Sequence, residues 1–142
     1  MLGKFAGLDV RAVPGKSPDD IGAICAREFD GPVDLVFIDG DHTPDQQTID
    51  FAACRQAMGP DCIYAFHDVV NCGMVASFLA IAQSETDMAG FILMRTPSGM
   101  GILYPRARSA DIDPVVRAFS ESERRMNALR AAAAKVRQAA GK

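Results

Sequence analysis

No apolar run in the sequence approaches the ~20 residues needed to cross a bilayer, and Met1-Leu2-Gly3-Lys4-Phe5 lacks the charged-then-apolar layout of a secretory signal. A cytoplasmic protein with no membrane partner is expected. Cysteine is sparse: Cys25, Cys54, Cys62 and Cys72 stand at irregular spacings without a CxxC pair. Neither a zinc site nor a disulfide framework is suggested, and reduced thiols packed in the core are the expectation. Histidine is scarcer still, at two residues, His42 and His67. The 142 residues, 49% apolar and 23% charged, suit one soluble globular domain with its own core.

Positive charge is nearly missing from most of the chain. Residues 117–142 hold seven Lys/Arg against two Asp/Glu, a net of +5, which leaves 8 basic against 16 acidic residues, a net of −8, in residues 1–116. An acidic body argues against a nucleic-acid surface there. The basic tail carries one aromatic, Phe119, too few for a platform that stacks bases.

Leu8–Val13 alternates apolar and polar residues up to Pro14-Gly15 and reads as a short strand and turn. Ser17-Pro18-Asp19-Asp20 offers an N-cap, a proline at the first helical position and first-turn acids. The helix it starts has Ile21, Ile24, Cys25 and Phe29 on one face and stops at Gly31-Pro32. Residues 33–38 form a nearly continuous apolar run, as expected of a strand covered on both faces. Thr43-Pro44-Asp45-Gln46 then supplies a capping box for a helix reaching about Met58. Cys62–Phe66 is the next buried strand, and Asn71 or Gly73 opens a helix ending near Ser84. Phe91–Thr96 and Met100–Tyr104 flank Pro97-Ser98-Gly99 as an antiparallel hairpin, and Asp113-Pro114 caps a long alanine-rich final helix. This order predicts a layered α/β domain with a mostly parallel sheet. In the last helix Val115, Phe119, Ser122, Met126, Leu129, Ala133, Val136 and Ala140 recur at heptad spacing, so it either packs on its own domain or forms a coiled coil.

Both apolar strands end in the same chemistry, VFIDGDH and IYAFHD. In open α/β sheets ligands bind outside the carboxyl ends of the strands, which sets Asp39, Asp41 and His42 against His67 and Asp68 across one cleft. Asp39, Asp68 and His67 offer ligands for a divalent cation. Carboxylates suit a hard ion such as Mg²⁺, and an imidazole tilts the choice toward a transition metal. His42 suits a general base, because an imidazole changes charge close to working pH. Asp41 alone is explained as loop decoration, and His67 alone as a satisfied residue at the sheet lip. Two separate strands both ending in acid plus His are harder to attribute to packing.

The run VDLVFIDGDHTPDQQ, a helix, Gly59-Pro60 and then CIYAFHDV resembles the C-terminal half of class I S-adenosylmethionine-dependent methyltransferases, specifically the small-molecule O-methyltransferase type with IDGDH and HD motifs. The resemblance covers roughly residues 8–104. It implies a partial Rossmann-like methyltransferase fold with a C-terminal antiparallel hairpin, S-adenosylmethionine as cofactor and a small-molecule acceptor. It further implies Asp39 and Gly40 beside the donor, Gly15 and Ser17 in a turn touching its adenine, His42 as base, and Asp39, His67 and Asp68 around a divalent metal, Mg²⁺ or another.

Departures accompany the match. The glycine-rich turn after the family's first strand and the acid after its second have no counterpart, and Pro60-Asp61 replaces the usual Gly-Gly. Residues 1–110 read as a truncated methyltransferase-like domain and 111–142 as a basic amphipathic helix. The chain is then a fragment of a longer enzyme, is completed by a partner chain, or has lost activity and serves as an assembly or partner-binding module. A metal-dependent hydrolase is a third reading of the cleft. The strand that would flank residues 33–38 is missing, so the open edge predicts either that Leu8–Val13 fills it or that chains join as a homo-oligomer.

Overall fold

Leu35–Ile38 (β1) and Ile63–Phe66 (β2) pair in parallel, Leu35 opposite Ile63 and Ile38 opposite Phe66. The two strands therefore end level, and His67 N–H donates to the Ile38 carbonyl at 3.0 Å. That register carries the site described below. The computed structural model describes residues 9–94, 98–120, 124, 125, 128 and 131. Around the strands run helices α1 (Ile21–Glu28), α2 (Pro44–Ala57) and α3 (Val75–Ser84), strands β3 (Met88–Leu93) and β4 (Met100–Pro105), a 3₁₀ turn (Arg106–Arg108) and α4 (Ser109–Phe119).

The sheet order is β1-β2-β4-β3. Only β1 and β2 are parallel. β4 lies antiparallel between β2 and β3, so the sheet is mixed rather than mostly parallel. Two facts account for the difference. The hairpin supplies half the strands, and residues 9–13 form no strand. Arg11 binds Asp9 at 2.6 Å and Glu28 of α1 at 3.5 Å, and Val10 and Val13 border a groove with Ile24 and Phe29. The segment thus lies along α1, and among the described residues nothing pairs with the outer edge of β1. Leu35 and Phe37 are 58% and 52% exposed there.

Local chemistry explains most element boundaries. Thr43 takes an extended N-cap conformation, and its Oγ1 accepts from Gln46 N–H at 3.3 Å. The capping box is half formed, because the Gln46 amide turns inward to Asp50 at 2.7 Å. The α1 helix starts at Ile21, four residues beyond the expected cap, since the Ser17 hydroxyl donates to Asp50. The α4 helix starts at Ser109, running on from the 3₁₀ turn and enclosing Pro114, so Asp113-Pro114 is not its cap. Its first segment ends at Phe119, where Ser120 is extended (ψ 153°), and Arg124, Arg125, Ala128 and Ala131 are helical again. The heptad positions Ser122, Met126, Leu129, Ala133, Val136 and Ala140 lie outside the described residues.

Packing on one sheet face joins Phe51, Tyr64, Phe66, Phe78, Met88 and Leu103, with Phe66 and Phe78 edge to face at 5.3 Å. On the other face α4 covers only β3 and β4, through Ala89, Tyr104 and Val116. The Tyr104 hydroxyl donates to Asp113, and that bond holds the Asp113 carboxyl below its ordinary value. A lowered carboxylate pKa stabilises the fold above the unfolded value, so this anchor loses strength as pH falls through the lowered one. Of the thiols, Cys54 and Cys62 are core residues as expected, Cys25 is half-buried, and Cys72 departs from expectation by being exposed. Among the described residues no helix is long and apolar enough to cross a membrane.

Candidate active site

Because β1 and β2 end level, the residues that follow them meet. Asp39 leaves β1, and His67 and Asp68 leave β2. His42 stands immediately before the cap of α2, whose start is fixed by Thr43. Asp39 Oδ1 lies 3.1 Å from His67 Nδ1 and 3.3 Å from His42 Nε2. Asp68 Oδ2 lies 3.4 Å from His42 Nε2 and 3.5 Å from His67 Nδ1. Two imidazoles and two carboxylates thus form one cluster. Among the described residues His42 joins Asp39 and His67 in one set of ligand atoms and Asp68 in another, and no set holds Asp39 and Asp68 together.

The cluster suits a cation by its spacing. Two donors each about 2.1 Å from one ion and subtending roughly 90–109° lie about 3.0–3.4 Å apart, close to the observed separations. The ligand atoms of Asp39, His42 and His67 fall within 4.8 Å of one another, as do those of His42, Asp68 and Cys72. Asp41 is exposed on the loop and belongs to neither group.

Backbone geometry holds the second strand end in place. Asp68 has φ +55°, a left-handed conformation costing a non-glycine residue about 1–3 kcal/mol unless its surroundings enforce it. Val69 and Val70 N–H groups donate to the Gly99 and Ser98 carbonyls at 3.2 and 3.1 Å, clamping the turn against the hairpin loop. Ser98 Oγ also sits 3.3 Å from His67 Nε2, leaving Nδ1 for Asp39. Gly99 has φ +69°, and a Cβ there would lie 2.3 Å from Val70 Cγ2. Gly99→Ala is therefore expected to cost about 1–3 kcal/mol and to release Ser98 from His67. Thermal melting and a shift of the His67 ring resonances check both effects.

Beside the cluster lies a cleft of about 230 Å³ lined by Ser17, Ile21, Val36, Phe37, Ile38, Asp39, Gly40, Asp50 and Cys54. Ser17, Asp39 and Gly40 thus line one cleft. Gly15 is not among the lining residues. Its missing side chain is filled by Ile24, whose Cδ1 would lie 2.4 Å from a Cβ, so it is a packing glycine against α1. Asp50, 3% exposed, accepts from the Ser17 hydroxyl and from Gln46, and its Oδ2 would lie 2.8 Å from a Cβ on Gly40. Sequence reasoning missed Asp50, although an acid on the inward face of α2 beside Phe51 and Cys54 was a usable signal. It also missed Ser98 and Cys72, the latter four residues after Asp68.

The cleft is smaller than the ~300–1,000 Å³ of sites that enclose a cofactor-sized ligand. The described residues thus fit one part of such a molecule. Comparison with curated proteins and with solved structures finds no significant match. Residues 6–69, a little under half of the chain, match the family model described as a methyltransferase domain. That stretch contains Ser17, Asp39, Gly40, His42, His67 and Asp68, so the match supports a methyltransferase domain over the part of the chain that builds the site.

Proposed function

We propose that the chain is an S-adenosylmethionine-dependent methyltransferase domain acting on a small-molecule hydroxyl with the help of a divalent cation. The observation that carries this reading is that His42 and His67 each lie 3.1–3.5 Å from both Asp39 and Asp68, next to the cleft lined by Ser17, Asp39 and Gly40. When bound, the donor supplies an electrophilic methyl group. Ser17 and Gly40 border the place for one end of it, and Asp39 separates that place from the histidines.

His42 would take the proton from the acceptor hydroxyl when the methyl group passes from the donor to the acceptor oxygen. Asp39 and Asp68, at 3.3 and 3.4 Å, stabilise the imidazolium that results. Asp39, Asp68 and His67 Nδ1 would hold a cation, which lowers the charge of the carboxylate pair and orients the acceptor oxygen. A cytoplasmic setting suits four free thiols. Calorimetric titration of S-adenosylmethionine into the full chain is expected to show binding that Asp39→Asn weakens. An absence of binding heat with and without Mn²⁺ overturns the reading.

The open edge of β1 favours a second reading, a non-catalytic module that assembles with a partner or with itself. Leu35 and Phe37 expose an apolar strip beside strand backbone that no described residue pairs with. On this reading light scattering at tens of micromolar gives a dimer, and Phe37→Glu returns it to monomer. A wild-type monomer removes the support for edge pairing.

A further inference from the structure

The oxygen-rich set described above shares two of its members with a softer one. His42, Asp68 and Cys72 bring an imidazole nitrogen, a carboxylate oxygen and a thiol sulfur within 4.8 Å of one another. Cys72 N–H donates to the Asp68 carbonyl at 3.1 Å, closing a single turn that carries the thiol back over the carboxylate. The sulfur is exposed to solvent. By contrast, burial raises the thiols of Cys54, to about 11, and of Cys25 and Cys62, which disfavours their thiolates. Cys72 is thus the thiol open to a metal.

We propose that His42, Asp68 and Cys72 bind a thiophilic divalent cation such as Zn²⁺, and that this cation withdraws His42 from proton transfer. Cations sort by ligand chemistry. Hard ions take carboxylate and water oxygens, whereas Zn²⁺ and Co²⁺ favour thiolate and imidazole in tetrahedral sets with one open position. A hard ion held through carboxylate oxygens and water would leave the His42 lone pair free to accept a proton. On Zn²⁺ binding a metal–sulfur bond would form as the Cys72 proton passes to solvent, the His42 nitrogen lone pair and an Asp68 oxygen would be donated to the metal, and each incoming ligand would displace metal-bound water. A nitrogen so engaged cannot serve as base. Metal identity would then decide whether the site is competent, with Cys72 as the selecting ligand. The inhibitory consequence rests on the methyltransferase reading, but the ligand set does not.

Co²⁺ titrated into the full chain tests the ligand set directly, because a thiolate on Co²⁺ gives an intense charge-transfer absorption that oxygen and nitrogen ligands do not. The wild-type chain is expected to show it and to lose it on addition of Zn²⁺. Cys72→Ser should abolish the band and lower Zn²⁺ affinity by at least ~10–100-fold, the loss already typical of an outer-sphere partner. The same variant should retain Mn²⁺ binding, and Asp39→Asn should retain the band. No band in the wild-type chain, or a band that survives Cys72→Ser, overturns the proposal. Donor binding is measured separately by calorimetry. A band without donor binding leaves the metal set standing and removes the transferase reading, whereas donor binding without a band removes the metal set alone.

Discussion

Phe78→Ala is expected to lose about 3–5 kcal/mol of stability, a large share of the ~5–15 kcal/mol that holds a typical domain together. The side chain is fully buried at the centre of α3, edge to face with Phe66 and in the same cluster as Tyr64, Met88 and Leu103. Glycines on both hairpin strands lie against its ring. A Cβ on Gly101 would fall 2.7 Å from Cδ2 and Cε2, and one on Gly90 would fall 3.6 Å from Cζ. The ring therefore rests on bare backbone, and truncation leaves a cavity with no neighbouring side chain on that side to relax into it. Urea unfolding should show a lower midpoint at unchanged slope. A loss below about 1 kcal/mol would mean that α3 is not seated on the sheet in this way.

Asp39→Asn should lower Mn²⁺ affinity by at least ~10–100-fold while leaving the unfolding free energy in urea within ~0.5 kcal/mol of wild type. Asp39 is 47% exposed in its side chain, so its charge contributes little to folding. Yet one of its oxygens faces both imidazoles, at 3.1 and 3.3 Å, and the residue also borders the cleft. Asparagine keeps the shape and removes the charge that a hard cation requires. Metal and donor affinity should therefore fall together, while far-ultraviolet circular dichroism stays unchanged.

The strand ends were legible in the sequence because the chemistry there breaks a simple pattern. Two apolar runs ending in acid and His announce both the strands and the face on which they meet, and parallel pairing does the rest. Thr43 likewise announced the start of α2. The place of β4 was not legible. A hairpin signal reports that two strands pair with each other and is silent on which of them joins β2. Residues 9–13 have strand-like alternation, but the ion pairs of Arg11 with Asp9 and Glu28 fix them along α1. Asp50, Ser98 and Cys72 reach the site through long-range packing or a single tight turn, which periodicity does not encode. Gly15, which the resemblance sets beside the cofactor, packs against Ile24 of α1.

The central claim is that the ends of β1 and β2 build one site. Since His42 and His67 are the only histidines in the chain, their Cε1 protons give two resonances that report the two strand ends separately. Mn²⁺ titrated into the full chain, followed by proton nuclear magnetic resonance, is predicted to broaden both resonances together, at one affinity, and to broaden neither in Asp39→Asn. Broadening of one resonance without the other, or of both unchanged in Asp39→Asn, would contradict a shared site.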